Sequence, residues 1–232
     1  MPHRILSAMN AFRHLGLVAA MATVVVLAGC AVGKPRIDTY SGLLPAGATP
    51  VPQGLAPRTG QFKSETAYVV LGANYLNYSD TWAKYQKAAD EGGFANLAYS
   101  KDELQAFQRF WSPSRTTSLV VDTLKKHFAD VRMADDLAHA KEQGARWIVV
   151  YDHYFQPERM TASWANHTTF DLLSAERLQL VARAEISETK SYGIAMGAAD
   201  VHRHQRQLGE DLVGSITRAL TQFDGKLSAL DQ

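Results

Sequence analysis

The order of elements legible in these 232 residues predicts an α/β (α+β) fold: a mixed sheet of about four to five strands covered by helices and closed by a long C-terminal amphipathic helix. Three observations carry this. Arg146 to Phe155 (RWIVVYDHYF) is β-branched and aromatic, and apolar on both faces up to Tyr151, as in a central, two-sided strand. Leu208, Leu212, Val213, Ile216, Leu220, Phe223, Leu227 and Leu230 keep helical spacing, while Glu210, Asp211, Arg218 and Lys226 fall elsewhere, so the end of the chain is a helix with one apolar face. Between and before these, strand-like and helix-like stretches alternate.

Taken in order, Ala67 to Tyr78 (AYVVLGANYLNY) has strand composition. Asp80 to about Asp90 follows as a short helix ended by Gly92-Gly93. Ser100 with Glu103 three positions on has capping-box spacing and starts a helix over Lys101 to about Trp111, which Pro113 interrupts. Val120, Leu124 and Phe128 form the apolar stripe of a further helix from about Arg115 to Phe128. Its last turn carries Lys125, Lys126 and His127, where cations suit the helix dipole. Val131 to Met133 makes a brief strand, and Ala134 to Gln143 a helix that Gly144 can close in a left-handed conformation. Two more strands lie at about His167 to Leu173 and Leu178 to Ile186, and Gly193 to Gly197 reads as a loop.

Hydrophobic residues make up 46% of the chain and charged residues 20%, which places it among globular proteins. The formal net charge of +1 falls to about −1 once Arg4 and Arg13 are set aside, and no basic stripe remains to serve a nucleic-acid partner. Cys30 is the only cysteine, which excludes an intramolecular disulfide, a Cys-based zinc site and a Cys-x-x-Cys redox pair.

The amino terminus has its own logic. Behind Arg4 and Arg13 runs an uncharged apolar stretch, Leu15 to Leu27, about 13 residues long. Spanning a bilayer needs roughly 20. A short apolar run between basic and small residues has the anatomy of a secretory signal peptide. Leu27-Ala28-Gly29-Cys30 then resembles the bacterial lipobox. That resemblance implies cleavage before Cys30 and acylation of its thiol, with the membrane as the first partner. Ala31, rather than Asp, after the cysteine is similar to outer-membrane lipoproteins in Gram-negative sorting, which implies a domain facing the periplasm. The expected organisation is a signal peptide over 1–29, lipidated Cys30 with a Pro/Gly-rich tether over 30–62, and one α/β domain over 63–232. Within the tether, Tyr40 to Leu44 is the part able to pack on the domain.

The element order over residues 65 to 228 resembles a small periplasmic domain. It is shared by curli-secretion-type lipoproteins, the amino-terminal domain of the Tol-system propeller protein and auxiliary lipoproteins of ABC transporters. Tyr40-Ser41-Gly42-Leu43-Leu44-Pro45 and Ser100-Lys101-Asp102-Glu103-Leu104 are similar to segments of an uncharacterised proteobacterial lipoprotein family. Neither likeness carries catalytic residues.

The chain contains no Gly-x-Ser-x-Gly, phosphate-binding Gly-x-x-x-x-Gly-Lys, dinucleotide Gly-x-Gly-x-x-Gly or His-Glu-x-x-His string. No cofactor is expected. Asp152 with His153 is the candidate acid–base pair of an envelope hydrolase, although neighbours on a strand point to opposite faces. His153, His202 and His204, with His167, are candidate metal ligands, provided that the residues around 202–204 are extended. A polar strand end and a hydrated stretch ahead of the last helix are the plainer readings. Tyr75, Tyr78, Trp82 and Tyr85 are the candidate binding surface, against the alternative that they fill the core. The function expected is a membrane-anchored lipoprotein with a non-catalytic binding or assembly role and an envelope protein as partner.

Overall fold

A computed structural model describes residues 35–44, 62–90, 112–158, 163–191 and 198–231. Its elements are β1 (Thr66–Leu71), α1 (Ala73–Asp90), α2 (Pro113–Leu124), β2 (Asp130–Ala134), α3 (Leu137–Glu142), β3 (Trp147–Glu158), β4 (Ser163–Ser174), β5 (Gln179–Ser191) and α4 (Ala198–Leu230). The strands form one mixed sheet in the order β2-β1-β3-β4-β5. β1 is parallel to β2 and to β3, whereas β3, β4 and β5 run antiparallel in succession. The α/β (α+β) class, the five strands and the C-terminal helix agree with the sequence reading, and β3 holds the central place its two apolar faces require.

Both faces of the sheet are covered, by unequal means. Val69, Val149, Tyr151, Phe170 and Leu172 point to one side and pack against Tyr75 of α1, Val120 and Leu124 of α2, and Leu212, Ile216 and Phe223 of α4. The opposite side, with Tyr68, Val70, Ile148, Val150 and Leu173, is covered by Leu137 and Ala140 of α3 and by Tyr40, Leu43 and Leu44. The second cover includes ten residues from the stretch expected to be a tether. Residues 35–44 lie against the sheet, with Tyr40 buried, and Phe62 is fully buried between Phe128 and Trp147. The packed body therefore starts before residue 63. Proline and glycine, which disfavour helix and strand, do not prevent a segment without regular structure from packing through its side chains.

The largest departure from the sequence reading is at residues 73–78. Strand composition continues through them, yet the chain leaves β1 at Gly72 and α1 begins at Ala73. The cause is a residue nearly eighty positions away: the Asp152 carboxylate accepts the backbone N–H of Tyr75 at 3.0 Å, satisfying a donor that the first helical turn leaves open. Gly72 makes this possible, since a Cβ there would sit 2.5 Å from Cβ, Cγ and Oδ1 of Asp152. The other elements follow the local signals. Pro113 opens α2. Asp136 caps α3 by accepting the His139 N–H at 2.7 Å, and Gly144 follows it at φ +77°. The helix expected over Lys101 to Trp111, its Ser100/Glu103 box, Gly92-Gly93 and the Gly193–Gly197 loop lie outside the described residues.

Candidate functional site

The two faces of β3 part the residues that the sequence sets side by side. Asp152 projects to the face that carries residues 35–44, and His153 to the helix face, so no acid–base pair forms between them. Asp152 is 1% exposed and fully engaged: besides the Tyr75 N–H, its Oδ2 accepts from Asn74 Nδ2 at 2.7 Å. His153 is fully buried. Its Nδ1 meets Thr168 Oγ1 at 2.9 Å, and its ring stands edge-on to Tyr78 with centroids 5.5 Å apart. Burial holds its pKa down at about 3, so the imidazole is neutral. Its Nε2 has no hydrogen-bond partner among the described residues. The pairing of Asp152 with His153 on which the hydrolase alternative leaned is therefore not formed.

The histidine metal site lacks its premise as well. Residues 202 and 204 belong to α4, and a helix turns positions two apart to different sides instead of aligning them. The side chains of His202 and His204 lie outside the described residues. Among the described residues no group of three His, Cys, Asp or Glu side chains is arranged to hold a metal ion. Of the aromatic candidates, Tyr75 and Tyr78 are buried, with their rings 6.0 Å apart. Tyr75 donates its hydroxyl to the Pro113 carbonyl at 2.7 Å and so ties α1 to α2. These two support the core and present little surface to a partner. Trp82 is half-buried, and the Tyr85 side chain lies outside the described residues.

The polar side chains that do converge are on the opposite face, where residues 35–44 run along β4 as a strap. Three anchors hold it. At its start an Arg36 N–H donates to Nε2 of buried His167 at 2.5 Å. Burial, and then the Arg36 charge, lower the His167 pKa, so the ring stays neutral and Nε2 keeps the lone pair that accepts. Glu185 lies 3.2 Å from the same nitrogen, an approach that becomes an ion pair only when the ring is protonated. In the middle, Asn74 reads the backbone of Ile37 twice: Oδ1 accepts the Ile37 N–H at 3.0 Å and Nδ2 donates to its carbonyl at 2.9 Å. The same Nδ2 reaches Asp152, so strap, helix start and central strand share one amide. Further on, the Tyr40 hydroxyl donates to Asp171.

Asp171 has no exposed surface and is answered twice more by Arg183, whose Nε and Nη2 donate to Oδ1 and Oδ2, each at 2.7 Å. This is the two-pronged geometry that a guanidinium offers a carboxylate. Burial and then the neighbouring Asp171 charge raise the Tyr40 pKa far above its ordinary value; the Asp171 hydrogen bonds raise that of Arg183. At neutral pH Arg183 is thus charged and Tyr40 a neutral donor. Sequence reading missed the cluster. A carboxylate inside the apolar run Phe170-Asp171-Leu172-Leu173, with an arginine inside Val181-Ala182-Arg183-Ala184, is the signal that was there to find.

What this arrangement does chemically is bind the chain to itself. Its carboxylates, amide and guanidinium face one another, and each has a partner within the fold.

No family model and no curated protein matches the chain. Among solved structures it is similar to the PelC dodecamer from Paraburkholderia phytofirmans, with 16% identity, 73% of this chain and 92% of that one covered, and a TM-score of 0.32. A putative neuraminyllactose-binding hemagglutinin homolog from Helicobacter pylori gives 7% identity over 80% of this chain and 97% of that one, with a TM-score of 0.36. Protein XCC0632 from Xanthomonas campestris, of the DUF330 family model, gives 14% identity, 50% and 66% coverage, and a TM-score of 0.25. None of the three scores reaches 0.5, and no role is carried from these proteins to this chain.

Proposed function

We propose that the chain is a lipoprotein precursor whose body is held on the periplasmic side of the outer membrane by acyl groups on Cys30, and that it serves there as a non-catalytic binding or assembly component. The observation that carries this is the placement of the one thiol. It follows Leu27-Ala28-Gly29 at the end of an apolar run too short to span a bilayer. Several acyl chains hold a protein on a membrane without a spanning helix, because each buried methylene contributes about 0.8 kcal/mol. The non-catalytic role rests on the chemistry of the polar groups. Asp152 is used up as a helix cap, Asp171 as the partner of Arg183, and the two candidate catalytic side chains face opposite ways.

Radiolabelled palmitate fed to expressing cells is expected to mark the wild-type protein and not Cys30→Ala, and the variant is expected to move from the membrane to the soluble fraction. A labelled alanine variant, or unlabelled wild type, would dispose of the anchor. The partner is sought by crosslinking the lipidated protein in intact cells; recovery of nothing above background would remove the assembly role.

A further inference from the structure

We infer that the strap fixes how the body stands on the bilayer: the Glu158/Ser163 end of the β3–β4 hairpin points at the lipid surface, and the Trp147/Ser174 end points away. This rests on the reading that residues just before Ala31 hold the chain on a membrane.

The strap has a direction. Arg36 sits on His167, which pairs with Tyr154; Tyr40 sits on Asp171, which pairs with Val150; Leu43 and Leu44 pack against the cluster that includes Ile148, Leu173 and Ala175. Followed backwards, the chain therefore runs along β4 toward Ser163. Only residues 31–34 separate Cys30 from Pro35. Counted from Arg36, six residue steps to Cys30 reach at most about 22 Å. From His167 to Ser163 β4 rises about 13 Å, so an extended linker reaches past the Ser163 end of β4. In the other direction, seven residues of β3 separate Tyr154 from Trp147, about 23 Å. That lies beyond even a fully extended linker, whereas the Ser163 end lies well within it, so the Ser163 end is the one brought to the bilayer. The tip end also carries Phe155 stacked on Trp164, centroids 5.1 Å apart, both half-buried. Tryptophan is a side chain suited to the lipid–water interface.

The test uses the full-length protein purified from membranes and reconstituted in phosphatidylethanolamine–phosphatidylglycerol vesicles that carry dansyl-labelled headgroups. Energy transfer from tryptophan to dansyl is measured for wild type, Trp164→Phe and Trp147→Phe, each first shown to keep its circular dichroism and melting temperature. Trp164→Phe is expected to lose clearly more of the transfer than Trp147→Phe, with Trp82 and Trp111 contributing equally to all three proteins. Eight Gly/Ser residues inserted between Val32 and Gly33 are expected to reduce transfer in the wild type several-fold. Equal loss in the two variants, greater loss in Trp147→Phe, or transfer indifferent to the insertion would each overturn the orientation. Palmitate incorporation is read on the same preparation. Its absence retires the lipid on Cys30 but leaves the orientation readable, because an uncleaved leader would join the body at the same residues.

Discussion

Asp171 is a carboxylate with no exposed surface, and its state depends on two side chains supplied by other parts of the chain. Breaking such a pair leaves a buried charge without an answer, which costs about 3–5 kcal/mol; Arg183 is itself partly exposed, so the lower end applies. Arg183→Met is expected to lower the unfolding free energy in urea by about 3 kcal/mol, and Asp171→Leu added to it to restore much of that loss. A double variant no more stable than the single one would show that the charge is not what matters. His153 gives a second prediction. Its folded pKa of about 3 lies below the unfolded value of about 6.5, so the folded state favours the neutral ring. The stability it contributes is complete above pH 6.5 and is lost as pH falls toward 3, because the unfolded chain takes the proton first. Between pH 7 and 5 this amounts to about 2 kcal/mol, and His167, also lowered, acts in the same direction. His153→Gln should show a shallower decline over that range. An unchanged slope would mean the acid sensitivity arises elsewhere.

At the level of elements, the boundary between β1 and α1 shows local and distant signals in competition. Ala73 to Tyr78 has the composition of the strand before it, and nothing within that window announces a helix. The start is imposed by Asp152, which reaches the first turn from the adjacent strand, and by Gly72, whose missing side chain leaves room for it. Gly72→Ala is accordingly expected to cost about 1–3 kcal/mol by overpacking, and Asp152→Ala about 2 kcal/mol by loss of the cap. Chemical denaturation measures both. If Gly72→Ala melts with the wild type, the close approach is not tight. α4 is the opposite case. Leu212, Ile216, Phe223 and Leu227 are fully buried and Arg218 pairs with Glu188 of β5, as the apolar spacing foretells. Periodicity over so long a helix outweighs any one contact. The histidines at its start were misjudged because the apolar pattern begins only at Leu208, while the helix begins at Ala198.

For the whole molecule, the sheet's second face is the weaker side, covered by a six-residue helix and by the strap. Deleting residues 35–44 uncovers Asp171, Asp152 and the apolar residues beneath Tyr40 and Leu43. The shortened protein is expected to bind a hydrophobic dye and to lose cooperative melting, whereas changes to residues 31–34 should leave melting unaltered. A deletion variant that melts like the full chain would demote the strap to an ornament of the surface.

The sequence alone determined what depends on neighbours along the chain. The 3.6-residue spacing of α4, the two-sided apolar run of β3 and Gly144 after α3 are local patterns, and local patterns survive without knowledge of the fold. Tertiary structure decided what depends on meetings across the chain: that Asp152 caps a helix it does not belong to, that Asp171 finds Arg183 and Tyr40, and that a proline- and glycine-rich stretch becomes part of the core. Those outcomes follow from burial. A polar group removed from water must find its partner wherever the fold has brought one, and sequence distance does not say where that is.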